Sequence, residues 1–98
     1  MFSWDPAKAE RNLRKHRISF QEAVVAFSDP DALDDADAKH SQVENRRVLI
    51  GRVTDNLVVT VVYTRRASSE TETTRIISAR PASSKERKAY DRGTAPDP

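Results

Sequence analysis

The spacing of apolar residues changes twice along the chain, and each change marks a new kind of element. Phe2-Ser3-Trp4 alternates apolar and polar, which predicts a short edge strand. Asp5-Pro6 then announces a helix. Asp is a preferred N-cap, and Pro at the first helical position gives up only an amide that had no partner. This helix should run to about Arg17, with Ala9, Leu13 and His16 on one face and Lys8, Arg11, Arg14 and Lys15 on the others. A second helix follows at once. Ser19 and Glu22 are spaced as a capping box, and Ile18 stands where a hydrophobic staple to Ala23 would form. Phe20, Ala23, Val24 and Phe27 repeat at i, i+3, i+4 and i+7, the pattern of an amphipathic core helix. Asp29-Pro30 stops it. Residues 31–41 are acidic and weakly patterned and read as a loop, with room for a short strand around 32–34.

The period then becomes two. Residues 43–53, 57–65 and 72–80 are rich in Val, Ile, Thr and Tyr and predict three strands. In the middle one, Leu57, Val59, Val61 and Tyr63 share one face, and Val58, Thr60, Val62 and Thr64 the other. Asp55-Asn56 reads as a tight hairpin turn, since both residues tolerate positive φ. The polar stretch 66–71 makes a longer connection, so the three strands form an antiparallel meander. Pro81 ends the last of them. Ser83 and Glu86 form a second capping box for a short helix over 84–91, which Gly93 ends. Residues 93–98 read as a disordered tail. The pattern predicts one α+β domain over 1–92, with two N-terminal helices on a small antiparallel sheet and a short C-terminal helix.

Composition removes several classes of function. Ninety-eight residues fit one domain with one modest core. No apolar run approaches the ~18 residues that span a bilayer, and no signal peptide is expected, so a cytosolic protein without membrane contact is the expectation. With no cysteine, disulfides, thiolate metal sites and thiol catalysis are excluded. Two histidines without an HExxH pattern make a metal site or other cofactor unexpected. Net charge is only +2, but it is unevenly spread. Residues 1–17 carry five Lys/Arg against two acids, 18–47 carry three against seven, and 65–92 carry eight against four. Two basic segments flanking an acidic one give a polarised surface if they meet in the fold, and such surfaces attract polyanions.

The strings FSWDPAKAERNLRKHRISFQEA, AFSDP, VLIGRV and RIISARPASSKERKAYD occur in this order and spacing. Over about residues 2–91 the chain resembles the BrnT family, the toxin half of a bacterial type II toxin–antitoxin system. The resemblance implies a RelE-like fold and metal-independent ribonuclease activity that arrests translation. It also implies a BrnA-like antitoxin, two toxins pairing with two antitoxins in a heterotetramer, and operator DNA reached only through the antitoxin. Two positions depart from the family pattern. Arg17 stands where Gly is usual, so the first helix must end without the residue that favours positive φ. Arg47 replaces an aromatic, exchanging a ring for a phosphate ligand.

Cleaving RNA without a metal needs a group to take the 2′-hydroxyl proton, cations to neutralise the phosphate, and a donor for the leaving 5′-oxygen. His16 suits either proton role because imidazole titrates near neutrality, although its face also fits a core histidine. Glu44 is a second candidate base, or else the partner of Arg46 or Arg75 in a cross-strand ion pair. Glu44 and Arg46, two apart on one strand face, could converge on one phosphate. Arg80 and Arg65 are the favoured phosphate ligands, joined by Lys15, Arg47 and Arg75. Strict alternation, however, puts Arg75 and Arg80 on opposite faces unless the strand bends. Tyr63 could stack on a base, but its parity places it in the core. The catalytic set is thus His16, Glu44, Arg46 and Arg80. The rival reading is a non-catalytic domain that binds nucleic acid or a repressor.

Overall fold

The structure, a computed structural model, describes residues 1–37, 45–67 and 70–94. Its elements are β1 (Phe2–Ser3), α1 (Pro6–His16), α2 (Phe20–Ala26), β2 (Leu33–Ala36), β3 (Arg46–Thr54), β4 (Leu57–Ala67), β5 (Glu72–Pro81) and α3 (Ser84–Arg92). They form one five-stranded sheet in the order β1-β5-β4-β3-β2. The predicted meander is its centre, with β4 antiparallel to both β3 and β5. The prediction of a small antiparallel sheet needs correction, because β1 lies parallel to β5 and makes the sheet mixed. The acidic stretch also supplies a full edge strand, β2, antiparallel to β3.

All three helices start as their sequences predict. Asp5 Oδ1 accepts the Ala7 amide at 2.9 Å. Both capping boxes close reciprocally, Ser19 with Glu22 and Ser83 with Glu86. At the end of α3, Gly93 adopts φ 76° and the Thr94 amide reaches the Ala89 carbonyl. Gly93 and Thr94 thus belong to the helix cap, and residues 95–98 of the expected tail lie outside the described residues. At the end of α1, Arg17 takes the left-handed conformation itself, at φ 61°. The Asp55-Asn56 hairpin needs no such residue, since Arg17 is the only non-glycine at positive φ among the described residues. The chain reverses at Asp55-Asn56 between paired Thr54 and Leu57, with a register shift between Arg52 and Thr54 beside the turn.

Helices α1 and α2 cover one face of the sheet. Ile18, Phe20, Ala23 and Ala26 pack there on Leu49, Val59, Val61, Tyr63, Ile76 and Ala79. The C-terminal end of α2 presses so closely on β3 that a Cβ at Gly51 would lie 2.8 Å from the Ala26 carbonyl oxygen. On the opposite face α3 covers only a small patch, where Tyr90 meets Ile50 and Val58. Tyr90 is fastened there by its hydroxyl, which donates to Asp29 Oδ2 at 2.6 Å, while the Arg52 guanidinium lies 5.5 Å above its ring.

The inward face of α1 differs from the predicted one. Leu13 is 46% exposed, and the buried residue is Asn12, in line with half-buried Ala9 and His16. Asn12 turns inward because β1 pairs with β5 only as far as Arg75, leaving the later part of that edge without a strand. Its side-chain amide fills the gap. Oδ1 accepts the Ala79 amide at 3.1 Å, and Nδ2 donates to the carbonyls of Ala79 at 2.8 Å and Ile18 at 3.0 Å. A planar amide offers donor and acceptor side by side, as a neighbouring strand would.

Asn12→Ala leaves three backbone groups without these bonds, and is expected to lower the free energy of unfolding by about 2–4 kcal/mol. Leu13→Ala, on the exposed side, should cost under about 1 kcal/mol. Urea denaturation of the two variants checks the contrast. Arg17→Gly removes the cost of a non-glycine residue at positive φ and is expected to stabilise the protein by about 1 kcal/mol in the same assay.

Candidate functional site

The face of the sheet away from α1 and α2 is polar and only partly covered. Cross-strand pairing sets its side chains in rows. Arg46, Thr64 and Arg75 form one row, Val48, Val62 and Ser78 the next, and Ile50, Thr60 and Arg80 the third. Arg66 opposite Thr73 extends the pattern toward the far end of β4. Arg75 and Arg80 share this face because β5 carries a bulge. Val62 pairs with Ser78 but Tyr63 pairs with Ile76, so Ile77 is the extra residue. A one-residue insertion reverses the alternation beyond it, which is the bend that the two arginines require.

Two adjoining grooves open on this face. One, of about 520 Å³, is bordered by Lys8, Asn45, Thr64, Arg65, Arg66, Arg75 and Ile77. The other, of about 650 Å³, is bordered by Ser3, Arg66, Ala67, Thr71, Thr73 and Arg75. Arg66 and Arg75 belong to both. No carboxylate borders either groove among the described residues, and neither arginine is ion-paired there.

Arg80 is held differently. Its Nη1 and Nη2 donate to Glu86 Oε1 at 2.6 Å and Oε2 at 2.9 Å, a bidentate fork. Glu86 Oε1 also accepts the Ser83 amide at 2.8 Å, so one carboxylate caps α3 and neutralises the strand arginine. Burial alone would raise the Glu86 pKa. The bonds from Arg80 and Ser83 outweigh that and hold it at about 2, below its ordinary 4.5.

The other predicted arginines lie on the helix-covered face. Arg47 Nε contacts Asp34 Oδ1 at 3.2 Å, and the buried Tyr63 hydroxyl donates to the same oxygen at 2.6 Å. Burial and that bond raise the Tyr63 pKa. Arg65 sits 5.7 Å over the Tyr63 ring and pairs with Glu72 at 3.6 Å. Tyr63 is fully buried with Phe27 edge-on against it at 5.0 Å, so it is a core residue. His16 is half-buried in the last turn of α1, beside exposed Lys15. Glu44 and His40 lie outside the described residues. Of the predicted site, the fold therefore puts Arg46 and Arg75 in one row of the open face and Arg80 on the same face two rows away, and puts Arg47 and Arg65 on the other side of the sheet. Sequence reasoning passed over Arg66, Lys8 and the Arg80–Glu86 pair. For Arg66 a signal existed, since its parity follows Thr60, Val62 and Thr64, whereas Arg65 follows Val59, Val61 and Tyr63.

Among the described residues no group of three or more His, Cys, Asp or Glu could hold a metal ion, and no helix is long and apolar enough to cross a membrane.

Helices α1 and α2 on one side of this sheet, with α3 on the other, form an architecture found in a known toxin. The crystal structure of the Brucella abortus ribonuclease toxin BrnT matches with a TM-score of 0.63 at 23% identity, covering 85% of this chain and 97% of that one. Residues 4–86 match the family described as the ribonuclease toxin BrnT of type II toxin–antitoxin systems, and the chain belongs to that family. No curated protein matches it.

The Glu86 carboxylate sets a pH dependence. Its folded pKa is depressed, so the stability it contributes is complete above about pH 4.5 and is lost as pH falls toward 2. Because the Arg80 side chain is 43% exposed, about 1–2 kcal/mol is expected rather than the full linkage value. Glu86→Gln should lose that amount at pH 7 and show a shallower acid limb. Thermal unfolding between pH 2.5 and 7 measures both.

Proposed function

We propose that this chain is a cytoplasmic, metal-independent endoribonuclease toxin of RelE-like architecture, acting as one domain over residues 1–92. Its activity arrests translation and is restrained by a BrnA-like antitoxin. The observation that supports the reading best is the bulge at Ile77, which sets Arg75 and Arg80 on the same face as Arg46. Three guanidiniums on one polar sheet face suit a phosphodiester, whose two free oxygens match their planar forks.

In the reaction the 2′-oxygen attacks phosphorus, the P–O5′ bond breaks, and a 2′,3′-cyclic phosphate forms. One proton leaves the 2′-hydroxyl and one must reach the departing 5′-oxygen, so an acid and a base are needed. His16 and Glu44 are assigned to those transfers. Arg46 and Arg75 neutralise the charge that develops on the phosphate. Arg80 joins them when phosphate displaces Glu86. Lys15, Arg47 and Arg65 are left to contact the RNA backbone further out. Assembly with the antitoxin is read as two toxins with two antitoxins, with operator DNA bound by the antitoxin alone.

Cleavage of a labelled single-stranded RNA by the purified protein in excess chelator tests this. Cleavage should survive the chelator. It should fall at least ~100-fold in folded Arg75→Ala, and in His16→Ala or Glu44→Ala if that residue carries a proton. Loss of cleavage on chelation would overturn metal independence. Salt-sensitive RNA binding without cleavage, on RNA alone and on translating ribosomes, would replace the enzyme with a binding module.

A further inference from the structure

Of the arginines assigned to cleavage, Arg75 borders both grooves, and the basic surface does not end with it. It continues past Arg75 to Arg66 on β4 and over the sheet edge to Lys8 on α1. It also continues sideways to the hydroxyls of Ser3 and Thr73. Lys8 and Arg66 are exposed and meet no carboxylate among the described residues. Arg65, which lines the same groove, is neutralised by Glu72, and elsewhere Arg47 is paired with Asp34 and Arg80 with Glu86. The three remaining cations of the groove, Lys8, Arg66 and Arg75, meet no counter-charge among the described residues, and an anion relieves their mutual repulsion.

We infer that Lys8 and Arg66 form a second phosphate subsite, which holds the RNA backbone one or two nucleotides away from the scissile bond. This rests on the reading of the open face as the RNA site. Successive phosphates on a strand lie several ångströms apart, so one guanidinium cluster cannot take two of them. Arg75, shared by both grooves, links the scissile position to the subsite. The side chains of Lys8 and Arg66 touch no reacting atom. They bind the substrate and its transition state equally, so they act on KM and leave kcat alone.

The test uses the full chain and a 2′-O-methyl octanucleotide, which binds but cannot supply the attacking hydroxyl. Its affinity is followed by fluorescence anisotropy across a salt series. Lys8→Ala and Arg66→Ala should each reduce the log–log salt slope by about 0.7, the value for one single-strand phosphate contact. The double variant should bind about tenfold more weakly in moderate salt, whereas Arg87→Ala, on the exposed side of α3, should behave as wild type. With a cleavable octanucleotide the double variant should raise KM by a similar factor at unchanged kcat. With a dinucleotide, which cannot reach the subsite, it should match wild type. Slopes and affinities unchanged in the double variant would overturn the subsite while leaving the cleavage reading intact. Reduced slopes in a protein that cleaves nothing would support the subsite and sink the cleavage reading. Absence of binding by the wild-type protein would overturn the subsite.

Discussion

The fold hangs on the side-chain amide of Asn12. It joins three pieces of chain that no backbone ladder connects: the middle of α1, the turn into α2 at Ile18, and the uncovered edge of β5 at Ala79. Without it the last part of β5 would present buried backbone groups to the inward face of α1 with no partner there, a cost comparable to a large share of a small domain's stability. Its position also matters for the opposite face. Ala79 lies two residues past the bulge at Ile77 and is fully buried, so pinning it inward keeps Ser78 and Arg80 outward. A buried neutral amide on the helix side thus determines where a cation stands on the other.

The sheet also sorts charge by face. On the helix-covered side, arginines are matched with acids: Arg47 with Asp34 from the edge strand, and Arg65 with Glu72. On the open side Arg80 is matched by Glu86 at the α3 end, while Arg66 and Arg75, with Lys8 at the sheet edge, border grooves without a carboxylate among the described residues. The acidic middle segment of the sequence forms the β2 edge, and the N-terminal segment forms the β1 edge at the other end of the sheet. A net charge of +2 therefore conceals a molecule with a neutralised flank and a cationic one. That arrangement favours a polyanion on one side and leaves the acidic edge facing elsewhere.

Much of this was legible because short-range rules decide it. Capping boxes need only four residues, and Ser19–Glu22 and Ser83–Glu86 placed two helix starts to the residue. Alternation in β4 separated Val59, Val61 and Tyr63 from Val58 and Thr60 correctly, since a one-residue slip would expose a buried face. What the sequence concealed was non-local. A bulge without glycine carries no residue signature, so alternation alone left Arg75 and Arg80 on one face only on condition that the strand bends. Asn12 looked like a polar residue on the flank of a helix, because the strand edge it completes is 67 positions away. Leu13 drew the predicted face toward itself through hydrophobicity alone, yet the gap in the sheet needed a hydrogen-bonding group. The partner of Arg80 was visible only as a capping residue with one carboxylate oxygen still to satisfy.

If the open face is the RNA site proposed above, that double use of Glu86 makes Arg80 a selective ligand. An anion approaching the sheet face meets a guanidinium whose fork is already filled, and whose carboxylate partner is also the N-terminal cap of α3. Displacing it costs the ion pair and loosens the first turn of the helix at the same time. A weak or singly coordinating anion, such as chloride, gains too little to compensate, whereas a phosphodiester can offer two oxygens in the same plane and is held by neighbouring cations as well. The arginine is thereby set with a threshold. On that reading it would stay silent toward the small ions of the surrounding solution and become available only to a ligand already captured by the rest of the face.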